Sequence, residues 1–591
     1  MVHYKQKIIK NPFLIKLLPF ILTLIYFIFV TLYITYPLVF HLSNMISEPA
    51  DGLYIDWILN WNIHSFLTNI SNIFNANIFY PYHNTLAYSD THTTSALLAL
   101  FPTKIIGEPA VAFNFIFLFS LITFGFFTYV LSYFFTKNHF ASIVSGTLVA
   151  FSTYTLTKPM HIQLLNICWV PLSILFFIKF LDGKKYRYLI ISIIFLVIQL
   201  YNSFLPGYFI LFSLFFVTVY YLFKKKIKLK EFSFLKIFLT MILGLIIILP
   251  VIIPYYQVSK EFNYERDIRD SIQFANRPEY TLYPGFASRL GPILLNTFYK
   301  YDKGPFTYDG FIGGVFFVLS ISAIIYRIRN RRKNYLFFDI FMTTGIFGFI
   351  LSLGPVLQWG GHVIKHPFII PLPYALFYYL VPGFNGLRNS ARWEMLFLFS
   401  VSICIGIFLT YVFEKKTNVF KFLVISLFCL LIILEFKFPY NYYQVPTKDN
   451  FPKVYKYISN LPQDSVISEF PLYNWGTFPA FNSESRREYY STLSFYKTFN
   501  GTAGFNPPPW QKKATFLIKY FPNDESIKLL KENGVNYIVL HSWEYDLIHN
   551  KNYNVDGQVV PSGNEIKKNL ENIKNVELIY SIDNDYVYKI K

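Results

Sequence analysis

Long runs of apolar residues without a single charge most constrain how this chain can fold. Residues 17–40, for example, include no Asp, Glu, Lys or Arg. A helix of about 20 apolar residues crosses the hydrocarbon core of a bilayer. The run is too long for a signal peptide and lacks a small-residue cleavage site, so we interpret it as a retained anchor. Only 15% of the chain is charged, against roughly 25% in soluble proteins.

The alternation of apolar runs and basic clusters predicts a multi-pass topology in the cell membrane. Short basic clusters between apolar runs are typical of cytoplasmic loops. With these clusters inside, the N-terminus is cytoplasmic and the C-terminal domain is extracytoplasmic. The net charge of +19 therefore indicates topology and contact with anionic lipid, and not nucleic-acid binding. The clusters are Lys5, Lys7 and Lys10; Lys184, Lys185 and Arg187; Lys224, Lys225, Lys226, Lys228 and Lys230; Arg327, Arg329, Arg331, Arg332 and Lys333; and Lys415 and Lys416.

We predict a polytopic α-helical membrane protein with about eleven spans, followed by a soluble α/β or α+β domain. The transmembrane domain covers residues 1–439 and the extracytoplasmic domain covers 440–591. Three long connections, 41–108, 257–309 and 354–393, are expected on the outer side. The predicted spans are 17–40, 109–135, 140–157, 164–182, 189–205, 207–223, 237–256, 310–326, 335–353, 394–413 and 418–437.

Local patterns predict several elements outside the spans. In the first outer loop, residues 55–70 place Trp57, Trp61 and His64 at helical spacing, which favours an amphipathic helix with its tryptophans at lipid headgroups. A turn at 80–82 and a second helix over 93–106 follow. The C-terminal domain is predicted to contain helices at 451–461 and 525–533, strands at 465–470 and 537–541, a capping box at Ser562 and Glu565, and a hairpin over 576–591 that turns at 583–585.

Acidic residues of the first outer loop are one candidate for chemistry. Asp51 follows the first span and Asp90 precedes the second loop helix, so folding of the loop can bring both to the membrane surface. One carboxylate can accept a proton from a hydroxyl group, while the other orients the acceptor or helps to hold a divalent metal. The competing interpretation is that both are ordinary solvated loop charges.

Two further polar clusters lie at the ends of predicted spans. Lys158, His161, Gln163 and Asn166 either line a cavity or merely cap and anchor a helix. Arg388 and Arg392, four residues apart, are expected on one face of a helix, where two guanidinium groups suit a phosphate or pyrophosphate. We favour a specific phosphate site over general lipid headgroups, because outward arginines beside a span are disfavoured.

Other features add little or exclude a class of function. Arg266 and Arg269 could extend the phosphate site, but their acidic neighbours could equally pair with them. No phosphate-binding loop or dinucleotide motif occurs, which argues against ATP or a dinucleotide as substrate. The three cysteines, Cys168, Cys404 and Cys429, lie in apolar runs and do not have the spacing of a metal site.

Several segments together resemble the GT-C superfamily of polyprenol-phosphate-dependent membrane glycosyltransferases. The likeness covers most of the chain and is greatest to a prokaryotic branch with YfhO-like features. The segments are DGLYIDWILNW (51–61), NIFYP (77–81), NTLAYSD (84–90), HIQLL (161–165), WVPL (169–172), PGFNGLRNSAR (382–392) and NGTAGF (500–505).

The resemblance implies catalytic roles for residues of these segments. An acidic residue soon after the first span is the expected general base, which Asp51 matches best and for which Asp56 competes. The second acidic position is usually Glu followed by His; here it reads Asp90-Thr91-His92, with a shorter acid and a displaced histidine. Arg388 and Arg392 would stabilise the departing lipid phosphate, with Arg266 and Arg269 as further candidates. The expected substrate-binding residues are His161, Gln163, His92 and Trp57.

The function that follows is transfer of a sugar from a polyprenyl-phosphate donor to an envelope glycan, lipid or protein acceptor, with inversion at the anomeric carbon. Some members of the superfamily need a divalent metal such as Mg²⁺ or Mn²⁺, which Asp51 and Asp90 would hold. Carboxylates and arginines are expected to converge beside lipid on the outer face. The alternatives are a transporter or flippase of lipid-linked saccharide and a glycan-binding membrane scaffold.

Overall fold

A computed structural model of the chain describes residues 12–283, 287–290, 310–330, 335–366, 368–436, 440–474, 481–555 and 558–591. Six of the basic residues used to predict the topology lie outside these ranges: Lys5, Lys7, Lys10, Arg331, Arg332 and Lys333. Part of the predicted outer loop 257–309 also lies outside them.

The described chain is a multi-pass membrane protein. Seven of its helices are long and apolar enough to cross a bilayer, judged by length and composition. Each overlaps a span predicted from the sequence. These seven are Ile15–Ile34, Val111–Thr136, Ile162–Gly183, Phe204–Phe223, Phe234–Phe262, Ser390–Val412 and Asn418–Glu435.

The other four predicted spans correspond to shorter helices. These have 13 to 17 residues, which at 1.5 Å per residue gives lengths of about 20 to 26 Å. The hydrocarbon core is about 30 Å thick, so the count of eleven spans stays a prediction. The four are His139–Phe151, Tyr186–Leu200, Gly314–Arg329 and Leu336–Ser352.

The chain forms two compact units. The first unit comprises Met1–Val39, Ile116–Leu249 and Glu265–Tyr440, and the second comprises Phe40–Phe115, Pro250–Tyr264 and Asn441–Lys591. The second unit thus contains the predicted C-terminal domain together with most of the first outer loop, which the sequence placed in the transmembrane domain.

Small residues let the helices of the first unit approach closely. A Cβ atom on Gly125 would lie 2.5 Å from the ring of Phe27, and one on Gly146 would lie 2.4 Å from the carbonyl oxygen of Gly125. Such small-residue contacts are a common way to pack helices in a membrane. Short helices also occur in this unit, at Thr153–Leu156, Ile162–Leu165, Trp169–Gly183, Ile268–Gln273 and Pro373–Leu380.

The second unit is built around a five-stranded mixed sheet. Val466–Phe470 runs parallel to Tyr537–His541 and to Lys497–Thr498. Asp585–Ile590 pairs antiparallel with Tyr537–His541 and with Val576–Ile582, which completes the sheet. Its helices are Asp51–Leu67, Thr93–Ile106, Lys453–Ile458, Phe481–Ser491, Pro508–Tyr520, Asp524–Glu532, Ser542–Asn550 and Gly563–Glu571.

Most local predictions for this unit are confirmed. The turn at Tyr80-Pro81, the helix Thr93–Ile106 and both predicted strands occur. Ser562 accepts a hydrogen bond from the Glu565 backbone N–H, while the Glu565 carboxylate accepts one from the Ser562 N–H, as a capping box requires. Asp583 and Asn584 both have positive φ, which suits the two-residue hairpin turn.

The prediction of an amphipathic helix at the membrane interface over 55–70 is confirmed for the helix but wrong for its environment. The helix Asp51–Leu67 is buried along most of its length and packs against the helices Thr93–Ile106 and Phe481–Ser491. The Trp57 indole donates a hydrogen bond to Asn77 Oδ1 at 3.1 Å, and the Trp61 indole donates one to the Ile73 carbonyl oxygen at 2.7 Å. Protein acceptors therefore take the place of the lipid headgroups.

A buried ion network ties the sheet of the second unit to its helices. The Arg487 guanidinium donates hydrogen bonds to Glu484 at 2.9 Å and to Glu544 at 2.7 Å. His541 contacts both Glu469, at 3.1 Å, and Asp585, at 2.8 Å. Although burial alone would lower it, the hydrogen bonds to Asp585 and Glu469 raise the pKa of His541 to about 9.

We expect Arg487→Met to destabilise the second unit strongly. Without the guanidinium, Glu484 and Glu544 would lose their cationic partner while buried, which costs about 3–5 kcal/mol. Thermal unfolding of the full-length protein in detergent measures the effect as a lower midpoint. Arg486 is exposed on the same helix, and Arg486→Met serves as the matched control. Equal midpoints for the two variants would contradict the structural role of Arg487.

Candidate functional site

Asp51 is the first residue of the helix Asp51–Leu67 in the second unit. The Glu48 carboxylate precedes it and accepts hydrogen bonds from the Ala50 and Gly52 backbone N–H groups, each at 3.0 Å. Asp51 is half-buried. Negative charge is favoured in the first turn of a helix, because the unpaired N–H groups there carry partial positive charge. Asp51 thus occupies a favourable position for a carboxylate.

Asp90, like Asp51, contributes to the electrostatic environment of Tyr54. Burial, followed by the negative charge of Glu488, raises the pKa of the Tyr54 phenol, and the charges of Asp51 and Asp90 raise it further. Asp90 is half-buried. The carbonyl oxygen of the preceding Ser89 accepts a hydrogen bond from the Tyr255 hydroxyl. Both predicted loop carboxylates therefore act on one buried tyrosine within a single unit.

Asp56 occupies a different environment from Asp51. Five helical positions separate the two, which places their side chains about 140° apart around the helix. Asp56 is fully buried and accepts hydrogen bonds from the Phe113 backbone N–H at 3.1 Å and from Asn60 Nδ2 at 3.2 Å. Burial raises the pKa of Asp56 well above its usual value, although the Phe113 bond opposes this. These contacts suit a structural role.

His92 and Trp57, predicted to bind substrate, are both buried. Each exposes 1% of its surface. Burial lowers the pKa of His92 to about 3, so its imidazole is neutral at physiological pH. Its Nδ1 atom has no hydrogen-bond partner among the residues that the structure describes. Neither side chain is exposed to an incoming substrate in this structure.

The C-terminal segment 500–505, which carries part of the superfamily resemblance, packs against the loop that precedes Asp90. A Cβ atom on Gly504 would lie 3.0 Å from the Tyr88 carbonyl oxygen, so any larger residue would require this backbone to shift by a few tenths of an ångström. The Phe505 ring lies 5.8 Å from that of Tyr88. Glu488 anchors the segment by accepting a hydrogen bond from the Thr502 backbone N–H at 2.7 Å.

Glu488 is itself buried. Burial raises its pKa well above the usual value, and the bond from Thr502 opposes this only in part. Its second oxygen, Oε2, lacks a hydrogen-bond partner in the described part of the chain. A small cavity of about 10 Å³ adjoins it, which is about the lower limit for one water molecule. No pattern in the sequence pointed to this residue.

The donor set for a metal is limited to two carboxylates. Across the described ranges, no group of three or more His, Cys, Asp and Glu side chains is placed to hold a metal ion. Mg²⁺ commonly binds through one or two carboxylates and keeps its remaining ligands as water or substrate phosphate. A metal held by Asp51 and Asp90 in this way stays a prediction.

A basic cluster occupies the first unit. Burial, followed by the positive charges of Arg392 and Lys158, holds the pKa of His161 well below its usual value. The Lys158 ammonium lies 4.7 Å from the ring centroid of Tyr154. The Tyr154 hydroxyl donates a hydrogen bond to the Ala391 carbonyl oxygen at 3.2 Å, directly beside Arg392. The structure thus groups His161 with Arg392, and it groups Lys158, from the same predicted polar cluster as His161, with both.

Arg388 and Arg392 do not share a helix face as predicted. The long helix begins only at Glu394, and Ser390–Trp393 form a short 3₁₀ helix. The Arg388 guanidinium instead lies over the Phe274 ring, with its carbon 4.5 Å from the centroid. Hydrogen bonds from Ser390 to the Ser271 carbonyl oxygen and from the Ala391 N–H to Phe274 hold this loop.

The remaining predicted residues of this region differ in accessibility. Arg269 is exposed and donates a hydrogen bond to the Asp267 carboxylate at 2.8 Å, the pairing that the sequence left open. Arg266 is half-buried, and its backbone N–H donates to the Asn385 carbonyl oxygen at 3.1 Å. Among the described residues, the buried polar atoms without a hydrogen-bond partner include Gln163 Oε1, Trp169 Nε1 and Arg392 Nε.

The structure therefore presents an acidic cluster in the second unit and a basic cluster in the first. Asp51 and Asp90 belong to the acidic cluster, and Arg392 and His161 belong to the basic one. The expected convergence of the carboxylates with the arginines stays a prediction. Tyr54 belongs to the acidic cluster and Lys158 to the basic one. The sequence pointed to Lys158, as a charged residue at the end of a predicted span, but did not point to Tyr54.

The chain is similar to known proteins in structure and not in sequence. No protein-family profile and no curated protein sequence matches it significantly. Its structure is similar to that of the arabinofuranosyltransferase AftD from Mycobacteria, with a TM-score of 0.56 and 10% identity over 97% of this chain and 40% of AftD. A mutant of AftD gives a TM-score of 0.50 and 11% identity over 96% of this chain and 41% of that one.

The oligosaccharyltransferase of Archaeoglobus fulgidus gives a TM-score of 0.48 and 12% identity, over 88% of this chain and 68% of that enzyme. This chain spans about 40% of the length of AftD. At 10% identity, the similarity to AftD establishes a shared fold.

The buried Glu488 carboxyl predicts a pH dependence of stability. Its folded pKa is raised, so its contribution is fully present below the unfolded pKa of about 4.3 and is lost as pH rises through the folded value. Glu488→Gln mimics the protonated acid, and we expect its thermal midpoint to fall less than that of the unchanged protein between pH 5 and pH 9. Glu525→Gln, at an exposed position, should leave the slope unaltered. Parallel curves for all three proteins would refute the assignment.

Proposed function

We propose that this chain, which has the fold of the GT-C glycosyltransferases, is a membrane glycosyltransferase acting on the outer face of the cell membrane. It transfers a sugar from a polyprenyl-phosphate-linked donor to an acceptor hydroxyl of an envelope glycan, lipid or protein. The observation that supports the proposal is that Asp51 and Asp90 both contribute to the electrostatic environment of the buried Tyr54 in one unit of this fold.

Asp51 is the proposed general base. Its carboxylate takes the proton of the acceptor hydroxyl while the hydroxyl oxygen bonds to the anomeric carbon of the donor sugar. The bond from that carbon to the lipid phosphate oxygen breaks, and the bonding electrons leave with the phosphate. A single displacement of this kind inverts the anomeric carbon. Asp90 orients the acceptor, whereas the buried Asp56 supports the helix that carries Asp51.

The basic cluster of the first unit is the proposed site for the donor phosphate. Arg392 and Lys158 are cations that attract the phosphate and offset the charge that develops as it leaves. His161 is held neutral beside them, so it can act as a hydrogen-bond donor without adding charge. Arg388, stacked on Phe274, presents a fixed guanidinium plane. Arg269 is paired with Asp267 at the surface and has no assigned role.

A divalent ion is compatible with this arrangement. Mg²⁺ or Mn²⁺ would be held by Asp51 and Asp90 and would supply charge stabilisation for the donor phosphate oxygens. Chelation of the full-length protein in the transfer assay, followed by addition of Mg²⁺ or Mn²⁺, decides between a metal-dependent and a metal-independent enzyme.

The proposed orientation follows from the basic clusters. Lys184 and Lys185 lie between two helices of the first unit, with Arg187 on the first turn of the second helix, and Lys415 and Lys416 lie between another two. The positive-inside rule assigns both connections to the cytoplasm. With eleven spans, the C-terminal domain is then extracytoplasmic.

Asp51→Asn should abolish sugar transfer while Asp56→Asn leaves most of it intact. Removing a general base costs typically 10²- to 10⁴-fold in rate, whereas Asp56 is buried and its neutral form is already favoured. Full-length protein in vesicles, supplied with a radiolabelled polyprenyl-phosphate sugar and an envelope acceptor, measures the rate. Both variants must first show the thermal midpoint of the unchanged protein.

Two outcomes of that experiment would count against the proposal. Equal activity of Asp51→Asn and the unchanged protein would remove the assigned base. Movement of lipid-linked saccharide across the vesicle membrane, without any sugar transfer, would instead favour the flippase.

Replacement of Arg392 tests the phosphate site independently. We expect Arg392→Ala to lower kcat by about 10²-fold, since the loss of one charge-stabilising donor commonly has that effect. Arg269→Ala is the matched control, because that guanidinium is exposed and already paired with Asp267. A decrease of the same size in both variants would show a general charge effect in place of a specific site.

A further inference from the structure

Two neighbouring helices of the first unit carry polar side chains at one end. The helices Trp169–Gly183 and Tyr186–Leu200 pack against each other and are joined by Lys184 and Lys185. The start of the first helix and the end of the second therefore lie at the same end of the pair. Because the positive-inside rule assigns the two lysines to the cytoplasm, the opposite end faces outward in the proposed orientation.

Side chains of the second helix meet the chain around the start of the first. Gln199 Nε2 donates a hydrogen bond to the Asn166 carbonyl oxygen at 3.3 Å. The Phe195 ring is stacked on the Trp169 indole, with 5.7 Å between centroids. Phe195 and Gln199 are four residues apart, so they share one side of their helix. The Trp169 indole and the Gln199 amide are therefore neighbours, about one helical turn apart.

Three side chains at this end each have a buried polar atom that lacks a hydrogen-bond partner in the described part of the chain. These atoms are Gln163 Oε1, Gln199 Oε1 and Trp169 Nε1, and we call the three residues the amide cluster. Gln163 lies in the short helix Ile162–Leu165, which ends at Asn166. Gln163 exposes 7% of its surface and Gln199 exposes none. Since buried polar groups are nearly always hydrogen-bonded, these atoms indicate a partner outside the protein chain.

The chemistry of these atoms selects the kind of partner. Gln199 Nε2 already donates to Asn166, so Gln199 Oε1 is an acceptor that needs a donor. Gln163 Oε1 is also an acceptor, whereas the indole of Trp169 only donates. A phosphodiester carries no proton at neutral pH and cannot donate to the amide oxygens, and an isoprenoid chain can neither donate nor accept. A hydroxyl group does both, so the amide cluster suits a ligand with several hydroxyl groups.

We propose that the amide cluster binds the hydroxyl groups of the donor sugar. The inference rests on the proposed function, in which Arg392 and Lys158 hold the donor phosphate. Gln163 follows His161 by two residues, and the positive charges of Arg392 and Lys158 act on that histidine. The sugar and the phosphate of a donor share one bridging oxygen, so their binding sites have to adjoin. The amide cluster and the basic cluster meet this requirement through the segment 161–163.

Binding of the sugar involves movement of side chains. Both amide oxygens are buried in this structure, whereas His161 and Trp169 are half-buried and reach the surface. The sugar therefore contacts the amides after nearby side chains rotate, a change that is common when a ligand binds. Hydrogen bonds that the amide oxygens lack in the free protein favour this change.

Binding of lipids with and without a sugar tests the subsite independently of activity. The full-length protein in lipid nanodiscs is titrated with bare polyprenyl phosphate and with polyprenyl phosphates that carry mannose, glucose or arabinose. The sugar preference is the dissociation constant of the bare lipid divided by that of the tightest sugar-bearing lipid. Gln163→Met removes the amide at similar volume and should lower this preference by about fivefold or more, with binding of the bare lipid unchanged.

Thermal unfolding distinguishes a ligand-binding amide from a structural one. Gln163→Met deletes an oxygen without a partner, so its midpoint should equal or exceed that of the unchanged protein. Gln358 is the matched control, because it is also a buried glutamine of the first unit but donates to the Ile272 carbonyl oxygen at 2.8 Å. Gln358→Met should lower the midpoint and keep the sugar preference. Gln199→Met provides a second variant for the preference.

Three results would overturn the proposal. They are a sugar preference that is unchanged in both Gln163→Met and Gln199→Met, an equal loss of affinity for bare and sugar-bearing lipid, and an unchanged protein that does not prefer any of the three sugars. The first result would show that water satisfies the amides.

The same experiment separates the subsite from the proposed function. If the unchanged protein binds neither kind of lipid, the proposed function and the subsite are both refuted. If the sugar preference is lost in Gln163→Met while Asp51→Asn retains full activity, the subsite stands and the assignment of Asp51 is refuted.

Discussion

Burial of the helix Asp51–Leu67 is the constraint on which the second unit depends. This helix carries two tryptophans, two asparagines and two aspartates, and twelve of its first thirteen residues are buried. Its buried polar groups therefore need protein partners, and Asn77, Ile73 and the Phe113 N–H supply three of them. These partners lie within or just after the first outer loop, whereas the helix Phe481–Ser491 that packs on it comes from the C-terminal part of the chain. The outer loop is therefore part of the interior of a larger domain.

The sequence was sufficient where short-range physics decides the structure. The hairpin turn at 583–585 and the capping box of Ser562 and Glu565 follow from local chemistry, and both were predicted. Uncharged runs long enough to cross a membrane predicted helices at the right positions. Four of these helices have only 13 to 17 residues, so the number of spans stays a prediction. The resemblance to GT-C enzymes, drawn from scattered segments, is confirmed at the level of the fold.

The sequence was insufficient where the environment of a side chain depends on residues that are distant in sequence and bury it. Trp57 and Trp61 have the spacing of interfacial tryptophans, yet a distant helix, Phe481–Ser491, buries them. The same argument separates Asp51 from Asp56, since only the structure shows that Phe113 and Asn60 bind the second carboxylate. The prediction that Arg388 and Arg392 share one face of a helix was wrong, because the helix begins after both of them.

The environment of Tyr54 suggests why a buried acid is useful near Asp51 and Asp90. The charges of Glu488, Asp51 and Asp90 all raise the pKa of this phenol, and like charges in a poorly solvated region repel one another strongly. Burial favours the neutral form of Glu488, which still accepts the Thr502 bond. The segment beside Asp90 is thereby anchored without an added charge.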